Sequence, residues 1–199
     1  MITALTASGL ATAAGFNAYI PLLVLGLLNR FTPWVELPDG WTWLSDTWML
    51  VILTVLLVVE IIADKIPAID SINDILQTVI RPASGGITFA SGIGSETLTV
   101  ESGQQLSSSG TWIAVVVGVV LALGIHLGKS LTRAAANTAT VGTAAPVLST
   151  AEDGASLAFS AAAVFLPVLV AVFFVLLIVG LIALATKFKR RENRGLERG

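Results

Sequence analysis

The chain has 199 residues, 55% of them hydrophobic and only 12% charged, with a mean hydropathy of +0.87. A soluble domain carries about a quarter charged residues, so this composition belongs to a membrane protein. The net charge of −2 offers nothing to nucleic acid, the absence of cysteine excludes disulfides and thiolate chemistry, and the single histidine, His126, excludes a multi-histidine metal cage.

A helix needs roughly 20 mostly apolar residues to cross a bilayer. Residues 3–29 meet that length without a charge, and the lack of a basic n-region argues against a cleaved signal. "SGLATAAGFNAYIPLL" within them is rich in Gly and Ala, which let helices approach closely. Asn17 and Tyr19 are its polar exceptions, just before Pro21, and a polar cluster at a helix break is one way to build a solute site. The loop "RFTPWVELPDGWTWLSD" follows, and Trp34, Trp41, Trp43 and Trp48 read as an interfacial aromatic belt.

Residues 45–66 form the second expected span. Met49 to Val59 contains one polar residue, Thr54, and then come Glu60, Asp64 and Lys65. Counting from Trp48, Glu60 sits about 18 Å along the helix, past the midplane of a roughly 30 Å core. Asp64 is one turn further on the same face. Ionised carboxylates at that depth need a partner or water, which makes both candidates for a cation or proton site. Neutralisation by Lys65 or by a basic group of another helix is the plainer alternative. Residues 69–80 alternate Ile69, Ile72, Ile75, Leu76, Val79 and Ile80 with Asp70, Asn73, Asp74 and Gln77 at helical spacing. This predicts an amphipathic helix at the interface, with Asp70 as its N-cap. Residues 83–109 are too polar and glycine-rich to span, and "IRPASGG" reads as turn-forming.

The third span is 111–131, with His126 and Lys129 toward its far end. "HLGKSLTR" puts His126, Lys129 and Arg133 on one stripe, suited either to an anion or lipid phosphate or to snorkelling of the two long cations. "AAANTATVGTAAPVLSTAED" is small and weakly polar, the composition of a re-entrant segment. Residues 156–186 are uncharged and long enough to span, or to break at Pro167. The tail from Lys187 to Arg198 holds six basic residues and is expected to be cytoplasmic. Four spans then place both termini inside.

An offset of 64 residues superposes Thr47-Trp48 on Thr111-Trp112, Lys65 on Lys129, Asn73 on Asn137 and Pro82 on Pro146, with four apolar identities between. If 83–109 does not cross, the two units are inverted in the membrane. The expected fold is therefore all-α and integral to the membrane. It has about four transmembrane helices, an inverted repeat (46–82 and 110–146), an interfacial helix and a re-entrant segment. Residues 1–186 form one transmembrane domain and 187–199 a basic tail.

"GLATAAGFNAYIPLLVLGLLNR", "VVEIIADKIPAIDSINDILQTVIRPASGG", "HLGKSLTRAAANTATVG" and "APVLSTAEDG" resemble a bacterial membrane family catalogued as domain of unknown function 4126. The resemblance runs through nearly the whole chain except the tail. It implies a bacterial inner-membrane location and carries no activity.

The functional expectation rests on the residues. It is a small transporter or channel moving an ion or small solute, with Glu60, Asp64, Lys65, His126, Lys129, Asn17 and Tyr19 along the path. The bilayer and a second copy of the chain are its expected partners, and no cofactor is expected. Two alternatives stand beside it. Glu60, Asp64, Asp70 and Asp74 could hold a divalent cation for a lipid-handling enzyme, or the chain could be a scaffold or accessory subunit.

Overall fold

The computed structural model describes residues 1–100 and 107–196, with the backbone alone at 67, 68, 70, 71, 108, 184, 185 and 188–196. Seven α-helices make up almost all of it: α1 Ile2–Phe16, α2 Tyr19–Phe31, α3 Thr47–Ala63, α4 Pro67–Gly94, α5 Ser108–Thr140, α6 Ala145–Phe165 and α7 Pro167–Leu196. A 3-10 helix, Asp39–Ser45, precedes α3. A two-residue ladder joins β1 (Val35–Glu36) to β2 (Glu96–Thr97). Among the described residues, α5 is the one helix that by itself is long and apolar enough to cross a membrane. The 3-10 helix and α3 pass together, bent by 60°.

The helices run between two ends of the molecule. Val35 pairs with Thr97, and Gly92 lies against Ala7 and Leu10. Thr99 Oγ1 donates to the Val164 carbonyl, and Trp34 packs edge-on against Phe165. These contacts gather the start of α1, the end of α2, the end of α4 and the end of α6 at one end, called here the first end. From there α3 runs to the second end, α4 returns, α5 runs out, α6 returns and α7 runs out again.

The crossing of α4 and α5 explains why "RPASGG" is helix rather than turn. A Cβ on Gly85 would fall on Ala122 and the Gly118 carbonyl, and a Cβ on Gly118 would fall on the Gly85 carbonyl. The glycines bring two backbones into contact, as in membrane helix pairs. Pro82 lies inside α4 and is buried. α4 therefore continues 12 residues beyond Pro82, to Gly94. Its start is at Pro67 with Ile66 as N-cap, so Asp70 falls within the helix instead of capping it.

This continuity corrects the repeat. Because α4 carries the chain back, α3 and α5 both leave the first end and run the same way, so the segments equated by the offset are not inverted. The unit after Lys65 breaks into a new helix, whereas α5 runs unbroken past Lys129 to Thr140. Residues 134–153, expected to be re-entrant, are instead the end of α5, a turn and the start of α6. Val141 and Gly142 make that turn at positive φ, and Val141 is 93% exposed.

The segment that does turn back is the first expected span. α1 descends from the first end, breaks at Asn17-Ala18, and α2 returns to the same end. The core around it is aliphatic: Leu10, Leu22, Leu23, Leu25, Leu44 and Leu50 pack with Val164 and Val170.

Candidate functional site

The break between α1 and α2 leaves backbone groups without helical partners. Side chains from three other helices satisfy them. Asn17 Oδ1 accepts from the N–H groups of Tyr19 (2.9 Å) and Ile20 (3.2 Å), capping α2. Lys129 Nζ donates to the Phe16 carbonyl at 3.0 Å, a cation at the C-terminal end of α1. Ser84 Oγ donates to the Ala18 carbonyl at 2.5 Å, and Ser156 Oγ reaches the Asn17 carbonyl at 3.4 Å as well as the Ala13 carbonyl at 2.9 Å. The Asn17 amide is left over, and its Nδ2 donates to Asp153 Oδ1 of α6 at 2.9 Å.

Around this tip lies a layer of buried charge. Arg81 of α4 is 1% exposed, and its Nη2 meets Glu60 Oε1 of α3 at 2.8 Å and Asp64 Oδ2 at 3.8 Å. Arg133 of α5 approaches the same Asp64 oxygen at 3.6 Å and also binds Glu152 of α6. Lys129 Nζ donates to Glu152 Oε2 at 2.8 Å. Asn73 Nδ2 donates to Asp64 Oδ1 at 2.7 Å, and Ser130 Oγ to Asp74 Oδ2 at 2.7 Å. The chain of partners joins four helices, α3 to α6, to the α1–α2 tip.

His126 is 1% exposed and its tautomer follows from its neighbours. Arg81 Nη1 lies 3.3 Å from Nδ1, and a guanidinium can only donate. Nδ1 must therefore accept, so the neutral ring carries its proton on Nε2. That nitrogen donates to Thr78 Oγ1 at 3.0 Å, and Thr78 in turn donates to the Asp74 carbonyl at 3.0 Å. A doubly protonated ring could not keep the Arg81 bond.

Of the residues named from sequence, Glu60, Asp64, His126, Lys129 and Asn17 meet in this layer. Tyr19 enters it through its backbone N–H and is buried. Lys65 does not: it is exposed, just beyond α3, and its Nζ returns to the Ile61 carbonyl of that helix at 3.2 Å. Lys129 and Arg133 do not snorkel outward, being 7% and 4% exposed. Asp74 faces Ser130 rather than solvent, and the side chain of Asp70 lies outside the described residues. Among the described residues, no three His, Asp or Glu side chains converge as metal ligands.

Sequence reasoning missed Arg81, Glu152 and Asp153 as site residues. Arg81 stands in "IRPASGG", which reads as turn-forming. Glu152 and Asp153 close the segment 134–153, which reads as re-entrant.

Beside the layer, α5, α6 and α7 enclose a cleft of about 640 Å³. Lys129, Arg133 and Glu152 lie at one part of its wall, and Leu148, Phe173 and Leu177 among others at the rest.

A family described as Domain of unknown function (DUF4126) matches residues 4–187. No curated protein matches the chain, and no solved structure does.

Proposed function

We propose that this chain, which belongs to the DUF4126 family, is an integral membrane transport protein of the bacterial inner membrane, moving a small ion or solute past the Glu60–Arg81–His126 layer. The observation that carries the reading is the inversion of polarity in α4. Its Ile72, Ile75 and Val79 are 64%, 72% and 73% exposed, while Gln77 and Arg81 on the other face are 1% exposed. Water would reverse that arrangement, and hydrocarbon favours it. The amphipathic helix expected at an interface is then part of a crossing helix whose polar side faces protein.

The re-entrant α1–α2 pair supports transport in particular. Irregular backbone at membrane depth is tolerated where protein or a water-filled cavity surrounds it, and broken helices of this kind build the solute sites of transporters. Here the break meets two carboxylates and a lysine through Asn17 and Phe16.

Orientation follows the charges. Arg30 lies at the first end with Trp34, Trp41, Trp43, Trp48 and Trp112, and Lys65 and Lys187 lie at the second. The positive-inside rule makes the second end cytoplasmic. Five crossing helices then put the start of α1 on the other face, in place of the shared cytoplasmic face that four spans implied. A homodimer is part of this proposal, since the bundle is small for a carrier.

The test is flux into liposomes containing the purified protein, with protons, monovalent cations, halides and small anions offered in turn. Flux abolished by Glu60→Gln and His126→Ala, with both variants folded, supports the reading. Absence of flux for every solute, with wild-type protein folded and inserted, removes it.

A further inference from the structure

The buried face of α4 carries one unbroken polar stripe. Gln77, Arg81, Ser84, Thr88, Ser91 and Ser95 recur at alternating spacings of four and three, which keeps them on one side of a helix, and none is more than 3% exposed. The hydroxyls form a ladder. Ser95 Oγ donates to the Ser91 carbonyl at 2.7 Å, and Ser91 Oγ shares its hydrogen between the Ile87 carbonyl at 2.8 Å and the Thr88 carbonyl at 3.4 Å. Thr88 Oγ1 donates to the Ser84 carbonyl at 2.9 Å, and Ser84 Oγ reaches the Ala18 carbonyl at the α1–α2 break.

We propose that the species transported is the proton, and that this stripe carries it from the first end to the charged layer. The inference rests on the transport reading above and names its substrate.

Depth gives the stripe its purpose. Counted from Trp48 on α3, Glu60 lies about 18 Å from the first interface. Arg81 and Ser95 are 14 residues apart, about 21 Å on α4, so the stripe covers the same depth. Beyond the layer, Asp64 is the C-cap of α3 at the second end, and little depth remains to cross. Packing alone does not require hydroxyls there. α1 meets Gly92 with Ala7 and Leu10, and alanine on α4 would pack as well without the cost of burying a polar group.

Two unpartnered oxygens mark the inner end of the stripe. Glu60 Oε2 and Gln77 Oε1 are buried and meet no donor, in side chains 2% and 1% exposed. Buried polar atoms are rarely left so, and a proton on the carboxylate is the smallest group that answers one. Charge selects the same sign. Among the described residues Arg81, Arg133 and Lys129 are matched by Glu60, Asp64 and Glu152. Asp74 and Asp153 remain, held by the neutral donors Ser130 and Asn17. Beside the stripe, Gly92 packs so closely on α1 that a Cβ would strike Leu10, which leaves no bore for a hydrated metal ion. A proton needs no bore. It passes between groups that both accept and donate, and one water bridges rungs about 5–6 Å apart.

In the cycle, a proton from water at the first end reaches Glu60 Oε2. The neutral carboxyl frees Arg81 to close on Asp64, 3.8 Å away. Release of the proton to water at the second end restores the Glu60–Arg81 bond.

The experiment follows proton entry into liposomes that hold the purified protein and a pH-sensitive dye, driven by a potassium gradient with valinomycin. Thr88→Val, the same shape without the hydroxyl, and Ser91→Ala are each expected to slow entry about tenfold, the worth of one hydrogen bond at the barrier. Thr88→Ser is expected to restore the rate. Thr54→Val removes an exposed hydroxyl of α3 and is expected to leave it unchanged. Wild-type rates in Thr88→Val and Ser91→Ala, with unchanged melting temperatures, overturn the stripe as the route. Flux of sodium or chloride without proton entry overturns the substrate and leaves the transport reading standing. No flux of any solute removes both.

Discussion

Asn17 and Asp153 are 136 residues apart in sequence and share a hydrogen bond of 2.9 Å. The same Asn17 side chain caps α2 with its other atom. One amide therefore both turns the chain back and ties the turn to α6.

A charge exchange tests that dual role. Asn17→Asp keeps the capping oxygen and sets two carboxylates against each other, so it should destabilise the protein more than Asp153→Asn does. The double variant Asn17→Asp with Asp153→Asn restores one donor and one acceptor. It should recover most of the loss, read as the melting temperature of the detergent-purified protein. A double variant no more stable than Asn17→Asp would refute the pairing.

Arg81 and Glu60 make a buried pair, and removing one partner strands the other. Arg81→Met alone should cost about 3–5 kcal/mol, and the double change with Glu60→Met far less than the sum of the two. The check is a double-mutant cycle by denaturant unfolding in micelles. Additive losses would mean that the two side chains do not interact.

Two pairs of glycines should behave oppositely. Gly118→Leu forces the α4 backbone away and should cost about 1–3 kcal/mol or prevent folding. Gly124→Leu meets open space and should leave stability near wild type. Monodispersity on size exclusion with a fluorescent fusion distinguishes them, and equal behaviour of the two would contradict the α4–α5 crossing.

The chain has no cysteine, so single cysteines report topology without background. Lys65→Cys and Val141→Cys at the second end should be labelled from the cytoplasm, and Trp34→Cys at the first end from outside. Labelling of Lys65→Cys and Trp34→Cys from one side would break the five-crossing arrangement.

The sequence carried some of this and hid the rest for identifiable reasons. Glu60 and His126 could be singled out because helical rise puts them deep in apolar runs. Their shared partner could not, because Arg81 precedes Pro82 and two glycines, which in water end helices. Inside an apolar bundle Gly85 meets Gly118 and Gly86 meets Val115 and Val119, and the helix runs on. Asn17 and Tyr19 stand out as the polar exceptions of the first apolar run. That this run folds back instead of crossing depends on Lys129, Ser84, Ser156 and Asp153, each at least 66 residues away. Helix content, the family and most of the charged layer were legible, whereas the direction of each helix was set by long-range contacts that no local pattern records.

The contact of Gly85 with Gly118 also fixes registration. Arg81 is four residues from one glycine and His126 eight from the other, about one and two turns along their helices. A slip of one residue in either helix would rotate its charge by about 100° away from the opposite one. Bare backbone, with no side chain to flex, thus acts as the fiducial mark against which the charged layer is aligned.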